Sequence, residues 1–208
     1  MNTVPSVTVI GAGNIGSAVA QIALKAGASV QVLTRDAAKA AAVSPQVSAG
    51  TIGEPVLGDI VVLALPYPAF GAVLAAYPAG LPGKVVVDPS NPINFSTGDI
   101  VIDPVGSSAA AELAEKLAGA KVLKAFNTNF AATLASGTTG GVTTAVLVAG
   151  DDADAKSALS SVVTGGGLRV IDAGPLKRAH ELEAIGAVQI GLAVTGQTPW
   201  TGGFAIVE

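Results

Sequence analysis

Cysteine is absent from this 208-residue chain, histidine and tryptophan occur once each, and charged residues make up only 12% of it. The missing cysteine excludes disulfides, thiol redox chemistry and cysteine-ligated metal. No cluster of Lys and Arg offers a phosphate-tracking face, and the formal net charge is −4. Nucleic acid is therefore not an expected partner, and any anion must be held by a local site. No basic segment followed by a long apolar run opens the chain, so a cytoplasmic protein is expected. The apolar stretch Ala184–Val194 is well short of the roughly 20 residues that span a bilayer; it reads as a helix buried in the core or at a subunit interface. What is plentiful is apolar residues, half of the chain, and glycine, 26 in all. That composition is globular, and the length suits one large α/β domain or a domain of about 150 residues with a small second lobe.

The most informative stretch is Val7-Thr8-Val9-Ile10 followed by Gly11-Ala12-Gly13-Asn14-Ile15-Gly16. A β-branched run ends in G-x-G-x-x-G, and Ile15, Val19, Ile22 and Ala26 then recur at helical spacing. Each glycine has a physical task in a dinucleotide site. Gly11 permits a tight turn, Gly13 lets a pyrophosphate approach the backbone, and Gly16 lets the helix pack closely on the strand. The phosphates then meet free N–H groups at the positive end of a helix.

Further strands are expected at Ala28–Leu33, near Val47–Ala49, and at Asp59–Leu65, Val85–Asp88, Val122–Phe126, Thr144–Ala149 and Leu168–Ile171, with helices between most of them. Asp36 and Ser107 or Ser108 suit helix N-caps, and Asp151, Asp152 and Asp154 favour the start of another helix. Pro175 opens the C-terminal helix. The alternation predicts a Rossmann-like, doubly wound, mostly parallel sheet, with residues 1–150 as the dinucleotide-binding domain and 151–208 as a small C-terminal segment. Ligands of such sheets lie at the carboxyl ends of the strands, which selects the loops Gly11–Gly16, Thr34–Lys39, Leu65–Tyr67, Pro89–Pro92 and Asn127–Asn129.

The second strand ends in Thr34-Arg35, where a NAD-binding chain normally carries Asp or Glu for the ribose 2′-hydroxyl. A hydroxyl and a guanidinium both bond to a 2′-phosphate, and Lys39 falls on the same face of the short helix that follows. NADP is therefore expected over NAD.

Nearly end to end, these residues resemble the F420-dependent NADP oxidoreductase family. The likeness runs through the glycine turn, Thr34-Arg35, Ser107-Ser108-Ala-Ala to Lys121-Val122, Gly150-Asp151-Asp152, and Leu168-Arg169 to Asp172-Ala-Gly174-Pro175-Leu176. The resemblance implies hydride exchange between NADP and the deazaflavin F420 in a homodimer whose C-terminal segment helps form the F420 cleft. Two features depart from it. The glycine turn reads Gly11-Ala12-Gly13-Asn14 rather than Gly-Gly-Thr-Gly, and Lys124-Ala125-Phe126-Asn127-Thr128 stands where those enzymes often place a histidine. That segment, with Ala179-His180-Glu181-Leu182-Glu183-Ala184-Ile185, is similar to the cytosolic reductase domain of STEAP-type metalloreductases, which pairs NADPH with a flavin. FMN or FAD therefore stands beside F420 as acceptor.

Hydride transfer between stacked rings needs positioning more than a strong protein acid, so no catalytic residue is assigned. No metal is expected. Leu65 and Pro66 fall where a nicotinamide ribose belongs, although Pro66 also simply ends a strand. Asn91, Asn127 and Thr128 face the same cleft; a turn-forming role competes for Asn127. Trp200 can wall an aromatic ligand or pack in the core or an interface. His180 reads as an acid or base, or as an ordinary residue of a surface or interface helix. Two rival functions remain at this level: a non-catalytic NADPH sensor, and a soluble flavin or ferric reductase. A dehydrogenase of small hydroxy acids or imines is disfavoured, since its large helical C-terminal domain does not fit in the short stretch after Gly150.

Overall fold

A computed structural model describes residues 4–94, 97, 99–102 and 107–207. The polar loop expected after Pro92 lies in part outside the described residues. Strand β1 (Val7–Ile10) leads through the glycine turn to α1 (Asn14–Lys25), then β2 (Val30–Thr34), α2 (Ala37–Ala41), β3 (Ser48–Thr51) and β4 (Ile60–Leu63). A 3-10 turn at Tyr67–Ala69 precedes α3 (Phe70–Ala75) and β5 (Val85–Asp88). Next come α4 (Ala109–Lys116), β6 (Lys121–Ala125), α5 (Ala131–Ser136), a small hairpin of β7 (Thr138–Thr139) and β8 (Val142–Thr143), and β9 (Ala145–Gly150). The chain then adds α6 (Ala153–Gly165), β10 (Arg169–Gly174), a 3-10 turn at Leu176–Arg178 and α7 (Ala179–Val194).

The large sheet has the order β10-β9-β6-β5-β4-β1-β2-β3. Helices cover both faces, which is why its central strands are continuous β-branched runs rather than alternating ones. Val7, Val9, Val32 and Val62 pack on the α1–α6 side. Ile10, Leu33, Val61 and Val86 pack on the side of α3 and α4. Strand β1 pairs in parallel with both β2 and β4, so the order reverses beside it, and a crevice opens there at the carboxyl ends. Local signals set the helix starts. Asp36, Ser108 and Asp152 each cap one, accepting from the backbone N–H of Ala38, Ala111 and Ala155.

Strand β9 runs antiparallel to β6, with Ala125 opposite Val148 and Leu123 opposite Gly150. The chain stays at the carboxyl edge through α5 and the hairpin, so β9 enters from that edge, and the sheet is mostly rather than wholly parallel. Strand β10 continues the same sheet beyond residue 150. Helix α7 is not enclosed by the core: it buries Leu182, Glu183, Gly186 and Gln189, while Ile185, Val188 and Val194 are exposed. No helix among the described residues is long and apolar enough to cross a membrane.

Candidate functional site

The glycine turn has the geometry its residues imply. Gly11 takes φ +115°, and a Cβ there would stand 2.2 Å from the Ala64 carbonyl oxygen. A Cβ on Gly16 would stand 2.0 Å from the Gly11 carbonyl oxygen. Strand β1, strand β4 and helix α1 meet this closely only because both side chains are missing. Gly13 differs, with nothing within 4 Å of its Cβ position. It is the N-cap of α1 and supplies no side-chain cap to the first N–H groups of the helix. Ala12 and Ile15 are half-buried beside it, and Asn14 is exposed. Uncapped backbone N–H groups at a helix N-terminus, left open in this way, can hold an anion.

At the end of β2, Arg35 and Lys39 are exposed, and neither takes part in an ion pair found among the described residues. Thr34, the last residue of β2, bonds within the turn. Its hydroxyl donates to the Asp36 carbonyl and accepts from the Asp36 N–H, so it shapes the turn into α2 and its proton is not offered outward. Leu65 and Pro66 close β4 where the Leu65 N–H turns back to the Leu63 carbonyl at 2.8 Å.

Between these loops and the C-terminal segment lies a cleft of about 350 Å³, lined among others by Asn14, Ile15, Asn91, Asn127, Phe130 and Trp200. Trp200 stacks at a tilt on Phe130 with ring centroids 4.9 Å apart, and forms an outer wall that is half exposed. Asn91 and Asn127 brace each other. The Asn127 amide donates to Asn91 Oδ1 at 2.9 Å and to the Leu182 carbonyl at 2.8 Å, while the Asn91 amide donates to the Asn127 carbonyl at 2.8 Å. Gly186 makes room for this, since a Cβ there would lie 2.2 Å from Asn91 Oδ1. With both amide hydrogens of Asn127 spent on carbonyls, its Oδ1 is fixed as a buried acceptor without a partner; Asn129 Oδ1 is another. Thr128 is buried, and its carbonyl accepts from Gln189 at 3.2 Å. Phe126, also a lining residue, is the one non-glycine among the described residues with positive φ, at 69°. A left-handed aromatic costs about 1–2 kcal/mol, and that strain turns the chain out of β6 into the cleft.

Beneath the cleft floor, Lys124 is fully buried. Its Nζ donates to Asp88 Oδ2 at 2.8 Å, Glu183 Oε1 at 2.7 Å and the Ser90 carbonyl at 2.6 Å, which uses all three of its hydrogens. Asp88 Oδ1 accepts from the Ser90 N–H at 2.7 Å, and Glu183 accepts from the Ala109 N–H at the start of α4. Burial pushes the Glu183 carboxyl above the usual carboxylate range, against the pull of Lys124. His180 is half-buried and its Nδ1 donates to the Ser107 carbonyl at 3.1 Å, tethering α7 to the approach of α4.

Residues 6–92 match the family described as NADP oxidoreductase, coenzyme F420-dependent. Over that stretch the chain is similar to members of that family. An F420-dependent NADP reductase of Methanocaldococcus jannaschii is 30% identical over 149 residues, 70% of this chain and 66% of that protein. The metalloreductase STEAP3 of Rattus norvegicus is 29% identical over 183 residues, 87% of this chain and 36% of that protein. The chain thus spans just under two thirds of the archaeal relative and about a third of the rat one. The crystal structure of a putative F420-dependent NADP reductase from Arthrobacter sp. FB24 superposes with a TM-score of 0.81 at 27% identity, covering 98% of this chain and 100% of that one.

In this chain the two STEAP-like stretches converge in space: Lys124 meets Glu183, and Asn127 meets Leu182. Sequence reasoning singled out Asn127 and His180 from those stretches and passed over the charged pair. A signal was available. A lysine inside the apolar run Val122–Phe126 and a glutamate inside an apolar helix are each unfavourable unless partnered, so each implies the other.

Proposed function

We propose that this protein is an NADPH-dependent oxidoreductase that transfers a hydride directly between NADP(H) and coenzyme F420 or a related flavin. The observation that carries this reading is the glycine turn after β1, open at Gly13, whose Asn14 and Ile15 share one cleft with Asn91, Asn127, Phe130 and Trp200; Arg35 and Lys39 are exposed just beyond the neighbouring strand β2. The backbone of Gly11, Ala12, Gly13, Asn14, Ile15 and Gly16 holds the pyrophosphate. Arg35 and Lys39 hold the 2′-phosphate, and Thr34 shapes the turn that presents them. Leu65 and Pro66 border the nicotinamide ribose. Asn127 Oδ1, held by Asn91, accepts a carboxamide N–H, with Thr128 at its side. Phe130 and Trp200 wall the planar acceptor. NADPH supplies two electrons and one proton as hydride, and the acceptor ring takes its second proton from water. The protein's task is to align the rings and exclude alternatives.

In this reading residues 1–150 bind NADP, and residues 151–208 complete the acceptor cleft and the contact surface of a homodimer. The exposed Ile185, Val188 and Val194 on α7, with Phe204 beyond it, support that surface. The test is steady-state NADPH oxidation by the purified protein offered F420, FMN and FAD in parallel, with NADH as control. Turnover with F420 supports the family's reaction, and turnover with FMN or FAD alone makes it a flavin reductase. Tight NADPH binding with no turnover on any acceptor overturns the enzyme reading in favour of a sensor.

A further inference from the structure

The buried cluster beneath the cleft holds more charge than a clamp needs. One ammonium and one carboxylate would tie β6 to its neighbours; here Lys124 faces two carboxylates, and Asp88, Lys124 and Glu183 are 0%, 0% and 1% exposed. A second buried carboxylate is unfavourable on its own account, tolerated where donors surround it. Glu183 has two, Lys124 Nζ and the Ala109 N–H at the positive end of α4. The cluster is also linked to the cleft lining at three points along the chain. The Ser90 carbonyl that Lys124 grips lies between Pro89 and Asn91, both lining residues. Lys124 is two residues from the lining Phe126. Glu183 follows Leu182, whose carbonyl holds Asn127.

We infer that the Asp88–Lys124–Glu183 cluster is the electrostatic counterpart of the nicotinamide ring: its one uncompensated negative charge favours the cationic, oxidised ring over the neutral, reduced one and so sets the affinity ratio between NADP+ and NADPH. The inference rests on the proposal that NADP(H) occupies this crevice with its ring above Asn91 and Asn127. Glu183 and Asp88 are positioning residues that act through space from below the floor. A unit charge acts strongly here because no water reaches it.

The experiment compares dissociation constants of NADP+ and NADPH, by calorimetry, for the parent and Glu183→Gln. The amide keeps the shape and removes the charge. NADP+ is expected to weaken relative to NADPH on the order of tenfold, the size of one unit charge acting through several ångströms at the effective dielectric constant of about 20 found for protein sites. A purely structural cluster would weaken both ligands equally, and an unmoved ratio overturns the inference. Asp88→Asn is the second variant, with the same expected direction, should Glu183→Gln not fold. The pH dependence of the parent's ratio needs no variant. Glu183 is faced by Lys124 from β6, Asp88 from β5 and the α4 N-terminus, with Tyr67 and Glu112 farther off and His180 on its own helix. As pH falls and Glu183 takes a proton, the preference for NADP+ declines, whereas titration of the 2′-phosphate affects both ligands alike and cancels. A ratio independent of pH overturns the inference. A parent that binds neither ligand defeats the functional proposal instead, so the two failures are distinct.

Discussion

At the β1 end of the cleft the working surface is bare backbone, with Gly13 open to space and no side chain capping α1. At the β5–β6 end it is a dense lattice in which Asp88, Asn91, Lys124, Asn127 and Glu183 hold one another from three strands' and helices' distance along the chain. The first end works by leaving side chains out, the second by pairing the charges it buries, although Ser90 Oγ, Asn127 Oδ1 and Asn129 Oδ1 have no partner there. The first is therefore sensitive to added volume and the second to lost partners.

The largest expected effect is at the lattice. Lys124→Met leaves two buried carboxylates facing each other without their cation, and should cost about 3–5 kcal/mol in urea unfolding. A loss under 1 kcal/mol would mean that the lattice is not the rigid half of the site. Next comes the pair that separates the two uses of glycine. Gly16→Ala must push its methyl against the Gly11 carbonyl, and should lose about 1–3 kcal/mol of stability together with NADPH binding. Gly13→Ala should keep stability within about 1 kcal/mol while NADPH affinity falls on the order of tenfold or more. If the two variants behave alike, the distinction between packing glycine and cradle glycine fails. Arg35→Ala should weaken NADPH by about ten- to a hundredfold, one or more charge-assisted hydrogen bonds, and leave NADH nearly unchanged; equal loss for both would assign Arg35 elsewhere.

The smallest effect is alkaline. Tyr67 donates to Glu112 at 2.9 Å, and burial together with that carboxylate pushes its phenol up to about 12 from the ordinary 10.0. Its contribution to stability is complete below the ordinary phenol pKa and is lost as pH rises from there through about 12. Denaturation of Tyr67→Phe across that window should be flatter than that of the parent, with the cleft's ligand affinities unaffected.

The β1 half was legible in the sequence because its determinants are neighbours. Gly11, Gly13 and Gly16 sit within one turn, Asp36 caps the helix that begins one residue later, and Arg35 follows its strand directly. Turn conformations, caps and strand periodicity depend on residues only a few positions apart, and a linear reading sees them. Even here the Thr34 hydroxyl bonds inward to Asp36, since both an outward and an inward bond suit a threonine and only the turn geometry chooses between them.

The β5–β6 half depends on contacts across 36 and 59 residues, from Lys124 to Asp88 and to Glu183. The direction of β9 likewise depended on which sheet edge the chain left after β6, and no local pattern records that choice. Helix α7 shows the same divide. Its composition announces a helix with apolar residues nearly all round. Packing alone turned Glu183 and Gln189 inward and left Val188 and Val194 facing out. Local spacing was enough for the cradle because backbone conformation is a short-range property. Assembly of the lattice was left to the tertiary fold, because a buried charge is tolerated only where distant partners are brought to meet it.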